Sequence, residues 1–203
     1  MDENRLPLIG LTGGIASGKS TVSKYLRQQG FHVIDADKLG HRVLEPGQAS
    51  YEQIIEYFGK KILNSDSTIN RRALGNIVFN DPAQLQILNR ISHPLIRSMI
   101  LQEIEKFASH SRGGLVFLEA AILLEGKNLP ACQQIWVVET KADHAITRLQ
   151  NRNQFSKKEA EARLKSQINN ETRRKFADVL IENNGSHREL ILQVDAALDR
   201  MKL

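Results

Sequence analysis

A chain of 203 residues that is 41% hydrophobic and 25% charged holds enough apolar material for one sizeable core, with room for an inserted lobe. Its single cysteine, Cys132, excludes an internal disulfide and a thiolate metal cluster, and no apolar run approaches the roughly 20 residues that cross a bilayer. The net charge of +5 is gathered in one place, since ten basic and four acidic residues fall between Lys141 and Lys175. A basic flap over a polyanionic small ligand fits that segment better than a nucleic-acid surface. Phe155 is its only central aromatic, which leaves little for stacking on single strands. The start, Met1-Asp2-Glu3-Asn4-Arg5, has no readable signal peptide, so a cytoplasmic location is expected.

Leu6-Pro7-Leu8-Ile9-Gly10-Leu11-Thr12 predicts a buried strand stopped by glycines. Lys19 to Gln29 predicts a helix with Val22, Tyr25 and Leu26 on one face and Gly30 as its stop. His32-Val33-Ile34-Asp35 predicts a second short strand, ending in acid. Helical patterns then run from Lys38 to about His110, punctuated by Pro46-Gly47, Gly59 and Asp81-Pro82. Leu115 to Glu119, Gln134 to Glu139 and Val179 to Glu182 predict three more strands, and a last helix reaches about Met201. The basic helical stretch lies between the fourth and fifth strands. Apolar runs flanked by helices imply an α/β fold, a parallel sheet covered on both faces, with ligands gathered at the carboxyl ends of the strands. The helical insertion between the second and third strands reads as a separate lobe.

Gly13-Gly14-Ile15-Ala16-Ser17-Gly18-Lys19-Ser20 fits G-x-x-x-x-G-K-[ST], after a predicted strand and at the start of a predicted helix. The glycines let successive N–H groups curl inward as an anion nest, and the helix adds the positive end of its dipole. Lys19 reaches the β- and γ-phosphates and the Ser20 hydroxyl is placed for Mg²⁺. Gly13 to Ser20, with Thr21, are therefore expected to hold a nucleoside triphosphate. No N-K-x-D guanine signature and no second nucleotide domain are readable, which leaves a small-molecule kinase as the best class.

Asp35-Ala36-Asp37 closes the second strand. On an extended segment the two carboxylates project the same way and could take a proton from a hydroxyl and order Mg²⁺ waters. Either could instead cap the helix that follows. Arg148 and Arg152 are helical neighbours, and Arg163, Gln167, Asn170 and Arg174 form one polar stripe opposite Ala160, Leu164 and Ile168. That suits a lid closing over phosphates, or a solvated helix pair. Arg71 and Arg72 either hold an acidic substrate or face solvent at a helix start. His93, before Pro94, reads as a boundary residue. Glu119 and Glu125 either support the metal or end a strand and a turn.

Taken in order, these pieces resemble the dephospho-coenzyme A kinase family along nearly the whole chain. Gly10 to Thr21 is similar to its phosphate loop, and Val33-Ile34-Asp35-Ala36-Asp37 with Glu45-Pro46-Gly47 to its acceptor-side motif. Arg71-Arg72-Ala73-Leu74, Ile77-Val78-Phe79 and His93-Pro94-Leu95-Ile96 resemble its substrate lobe. Ile122-Leu123-Leu124-Glu125 stands at a further family motif, with Ala121 in place of the usual proline. Arg148, Arg152, Gln167, Glu171 and Arg173 fall at its lid positions, and Ala177-Asp178 with Ile181 to Gly185 resembles its closing motif. Departures are His41, followed by Arg42, where the family has an arginine, and Asn153 where an acid is usual.

The resemblance implies a P-loop NTPase of nucleoside-monophosphate-kinase-like fold, a five-stranded parallel sheet with a helical substrate lobe and a helical lid. It implies a nucleotide-binding core of residues 1–36, 112–140 and 176–203, a dephospho-coenzyme A lobe of residues 37–111 and a lid of residues 141–175. The reaction implied is transfer of the ATP γ-phosphoryl to the ribose 3′-hydroxyl of dephospho-coenzyme A, with Mg²⁺. Asp37 is then the base, and Lys19, Arg148 and Arg152 neutralise developing charge. Thr12, Asp37, Arg71, Arg72 and His93 meet the substrate. Ser20 holds the metal, with Asp35 or Glu119 as candidates to join it through water. A small-molecule substrate is the expected partner, with no nucleic acid, membrane or obligatory protein partner. The rival readings are a kinase for another nucleoside, nucleotide or shikimate-like acceptor, and an ATP-dependent switch.

Overall fold

The computed structural model describes residues 6–110, 114–121, 123–124 and 130–201, without the side chains of residues 109 and 110. It divides into two compact units, one of Met1–Ile34, His110–Lys127 and Ala131–Leu203, the other of Asp35–Ser109 and Asn128–Pro130. The first unit carries β1 (Leu8–Gly13), α1 (Lys19–Gln28), β3 (Val116–Glu119), β4 (Gln134–Glu139), α6 (Ala142–Asn153), α7 (Lys157–Lys165), α8 (Asn170–Arg174), β5 (Val179–Glu182) and α9 (His187–Asp199). β2 (His32–Asp35) ends where the second unit begins, and α2 (Ala36–Arg42), α3 (Ala49–Phe58), α4 (Arg71–Asn80) and α5 (Pro82–His110) follow.

The strands form one five-stranded parallel sheet in the order β2-β3-β1-β4-β5. β1 is paired on both sides, with Leu11 in register with Glu119 on β3 and with Trp136 on β4. All six of its residues are buried, as a central parallel strand requires. Ile9, Leu11, Phe117, Trp136, Val138 and Ile181 meet Val22 and Leu26 of α1 and Leu190 and Val194 of α9 in one core. Phe117 packs edge-to-face on both Phe31 and Trp136, at centroid separations of 5.6 and 5.2 Å. β5 is an edge strand, and the Gln193 carboxamide of α9 bonds both the N–H and the C=O of Glu182 at 2.8 Å, covering the free edge.

The second unit has its own core of Tyr51, Ile54, Phe58, Ile62, Ile69, Leu74 and Val78. Two details differ from the sequence reading. The helix expected from Lys38 starts at Ala36, because the Asp35 carboxylate accepts from the Lys38 N–H at 3.0 Å and acts as its N-cap. Asp37 is thus in the first helical turn, and the two aspartates do not share an extended segment. α5 runs unbroken through Pro94 for 29 residues, so His93 is no boundary residue. Pro94 and Arg90 both lie exposed, so water can bond the Arg90 carbonyl that the proline leaves without its helical donor.

Leu26 is fully buried between α1 and the sheet. Leu26→Ala should destabilise the chain by about 2–5 kcal/mol, read as a lower denaturant midpoint with an unchanged slope.

Candidate active site

The loop after β1 is shaped by contacts rather than by composition alone. The Ser17 N–H donates to the Gly14 carbonyl at 3.1 Å, closing a turn, and Ala16 is left-handed at φ 58°. Gly18, at φ 101°, is the N-cap of α1 and supplies no capping side chain, so the first N–H groups of the helix keep their capacity for another acceptor. A Cβ on Gly18 would collide with the Asn183 carboxamide, and one on Gly13 with the Val138 carbonyl. On the side of the loop where a Cβ on Gly13 would also meet the Val138 carbonyl, the Ser17 hydroxyl is buried and has no hydrogen-bond partner among the described residues. A backbone turn that leads into an uncapped helix N-terminus fits a phosphate group.

Two side chains hold the outside of the loop. Arg148 of α6 donates through Nη1 to the carbonyls of Ala16 at 3.1 Å and Ser17 at 3.4 Å, and through Nη2 to the Asn183 carbonyl at 2.9 Å. The Asn183 Nδ2 donates to the Ser17 carbonyl at 2.7 Å. At the inner end of α1 the Lys19 ammonium lies 3.6 Å from the buried Glu119 carboxylate, which also faces Arg27 at 3.5 Å. Glu119 therefore ends β3 between two cations.

The basic segment approaches the same loop. Gln167 Oε1 accepts from the Ile15 N–H at 2.9 Å and from Arg173 Nη2 at 3.4 Å, and Asn170 Oδ1 accepts from Arg173 Nη1 at 3.3 Å. Arg173 is only 3% exposed yet stands beside Gly14, whose added Cβ would come within 3.1 Å of Nη1. A cavity of about 270 Å³ is lined by Gly14, Ile15, Ser17, Gln167, Asn170 and Arg173 among others. Ile15 and Ala16 also pack against the apolar cluster of Ile146, Leu149, Ala160, Phe155 and Leu164.

The stripe expected from Arg163 to Arg174 is not one face. α7 stops at Lys165, and Asn169 caps a new helix by accepting from the Thr172 N–H at 2.8 Å. Arg163 lies over the Phe155 ring, while Arg174 makes a forked ion pair with the buried Glu139 of β4, which raises the arginine pKa further. Only Gln167 and Asn170 of the four join the loop side. Arg152 is exposed and donates through Nε to Asn153 at 2.8 Å. Thr12 is buried, its hydroxyl donating to the Ala121 carbonyl at 3.4 Å. Ser20 and Thr21 open α1, Ser20 being exposed.

Asp37, Arg71, Arg72 and His93 belong to the second unit. Arg71 and Arg72 are exposed in the first turn of α4, behind an Asn70 cap. Cations there oppose the helix dipole, so helix stability does not explain them. Burial lowers the His93 pKa from its ordinary value, which favours the neutral imidazole at pH 7. Glu125 lies outside the described residues. No group of three or more His, Cys, Asp or Glu capable of holding a metal occurs among the described residues. A magnesium ion held by one hydroxyl, phosphate oxygens and water needs no such group, and Ser20 suits it.

Asn183 escaped the reading of residues by spacing, because nothing in its neighbourhood marks one asparagine of Asn183-Asn184 as buried against a loop 166 positions away. Gly18→Ala forces a side chain into that contact at a left-handed φ. It should weaken ATP binding by about a hundred-fold or more, measured by calorimetry, with the fold retained.

The sequence model of the family described as dephospho-CoA kinase matches residues 7–189. The dephospho-CoA kinase of Carboxydothermus hydrogenoformans is 42% identical over 197 residues, covering 97% of this chain and 95% of its own. The crystal structure of a Thermus thermophilus protein superposes with a TM-score of 0.84 at 32% identity, covering 98% of this chain and all of that one. The dephospho-CoA kinase structure from Campylobacter jejuni gives a TM-score of 0.65 at 29% identity, covering 96% of both chains. With the phosphate loop intact and the match running end to end, this chain belongs to the dephospho-CoA kinase family.

Proposed function

We propose that the protein transfers the γ-phosphoryl group of ATP to the ribose 3′-hydroxyl of dephospho-coenzyme A, releasing ADP and coenzyme A. The observation that carries this reading is the phosphate loop with Lys19 at its base and the buried Arg173 beside Gly14, in a chain that matches the family over residues 7–189.

The α1 N-terminus and the loop N–H groups other than those of Ile15 and Ser17, which are taken by Gln167 and the Gly14 carbonyl, bind the phosphates. Lys19 is already drawn out of water by Glu119, so little solvent has to be stripped from it when phosphate oxygens arrive. Ser20 would hold Mg²⁺, whose charge neutralises β- and γ-oxygens when it is bound. The Asp37 carboxylate takes the proton of the 3′-hydroxyl as the new O–P bond forms and the bond to the ADP oxygen breaks. Arg152 and Arg173 offset the charge on the moving group. Arg71, Arg72, His93 and Thr12 are the residues that meet the substrate. Residues 141–175 act as the lid, residues 37–111 as the substrate lobe, and the cytoplasm is the place of action. Among the described residues no helix is long and apolar enough to cross a membrane.

ADP release from MgATP with dephospho-coenzyme A, the product identified by mass, tests the reaction, with AMP, adenosine and no acceptor alongside. Acceptor-dependent ADP and a product one phosphate heavier is the expected result. Equal slow ADP in every tube would sink the kinase reading in favour of a switch. Lys19→Ala should abolish turnover. Asp37→Asn should lower kcat by about a hundred-fold or more while ATP affinity stays within a few-fold, and near-normal turnover would remove Asp37 from its role as base.

A further inference from the structure

We propose that Arg148 and Asn183 are positioning residues that set the direction of the Gly18 N–H, and that Arg148 does not contact the transferred phosphoryl group. This departs from the charge-neutralising role expected of Arg148 from the lid pattern. It rests on the loop binding a nucleotide and not on which acceptor is phosphorylated.

The contacts assign the roles. Both Nη atoms of Arg148 are engaged by carbonyls, of Ala16, Ser17 and Asn183, at 2.9–3.4 Å. Asn183 is 8% exposed, and its Nδ2 gives the Ser17 carbonyl a second donor at 2.7 Å. No cis peptide occurs among the described residues, so each C=O and the N–H that follows it point in opposite directions. Holding the Ser17 carbonyl on Asn183 and Arg148 therefore turns the Gly18 N–H the other way, off the clasp. Holding the Ala16 carbonyl on Arg148 does the same for the Ser17 N–H, which there closes the turn on Gly14 at 3.1 Å.

Asn183 is itself fixed. Its N–H continues the ladder to the Glu139 carbonyl at 2.8 Å, and its carbonyl accepts from the Thr140 hydroxyl at 2.9 Å as well as from Arg148. The absence of a side chain on Gly18 is what lets the carboxamide reach the loop. The clasp thus transmits the rigidity of β4 and β5 to a turn that has no side-chain cap of its own.

ATP and ADP affinities, measured by calorimetry without acceptor, separate this from a phosphoryl contact. A donor direction set by the clasp serves both nucleotides, whereas a γ-phosphoryl contact serves ATP alone. Asn183→Asp, Arg148→Met and Arg148→Lys should each raise the Kd of ADP and of ATP by the same factor, about ten-fold or more. Arg148→Lys keeps the charge and loses the fork, so it should not rescue. Weakening confined to ATP, full affinity in Arg148→Lys, or unchanged affinities in Asn183→Asp would each overturn the proposal. Asn183→Asp conserves volume and Arg148→Lys conserves charge, so at least one variant that melts at the temperature of the parent decides it. Absence of phosphoryl transfer to dephospho-coenzyme A would leave this result standing.

Discussion

Each loop N–H meant for a phosphate must be denied a partner inside the protein, and each loop carbonyl must be given one. An unpaired carbonyl inside the curl would repel the anion, and one buried elsewhere would cost on the order of 1–3 kcal/mol. Here the Gly14 carbonyl is taken by the Ser17 N–H, and those of Ala16 and Ser17 by Arg148 and Asn183. The Ile15 N–H is taken by Gln167, so donors as well as carbonyls are allotted. Glycine at 13 and 18 follows from the same requirement, since carbonyl and carboxamide approach too closely for any Cβ. The rest of the first unit serves to bring those partners from β4, β5, α6 and the turn before α8.

Charge is distributed by the same logic. The segment from Lys141 to Lys175 is strongly basic, yet several of its cations are engaged within the protein. Arg174 is spent on Glu139, Arg163 on the Phe155 ring and Arg148 on loop carbonyls. Arg173 alone among them is nearly buried beside Gly14. A buried guanidinium in a low-dielectric setting acts more strongly on a nearby phosphate than several solvated lysines do. At least three of its ten cations are thus engaged by groups of the protein itself.

The sheet was legible because it is made of short apolar runs between polar or glycine-containing stretches, and β2, β4 and β5 fall at the expected residues. The loop was legible because its chemistry is carried by consecutive positions. What failed depends on tertiary surroundings. Pro94 stays inside α5 because both it and Arg90 face water, which spacing does not reveal. Asp35 takes the helix cap that its position also allowed, and it is only the extended segment shared with Asp37 that is missing, because Asp37 enters that helix. The 4-3-4 stripe breaks because Asn169 starts a helix where periodicity ran on. Arg148 carries the same letter whether it meets a phosphate or a carbonyl, so only the fold tells the two apart.

The position of Asn183 also explains why an edge strand matters here. β5 is short, and its last residue, Glu182, is tied to α9 by the Gln193 carboxamide on both of its backbone groups. The next residue carries the carboxamide that reaches the loop. Fraying at this edge would first loosen Glu182, and then Asn183, whose own ladder bond runs to Glu139. Edge strands open more readily than central ones because each residue has one neighbour instead of two. Gln193 on one side and the Glu139 ladder on the other hold the residue whose displacement would turn a phosphate donor aside. Protection against aggregation and precision at the nucleotide site are thus supplied by the same few hydrogen bonds.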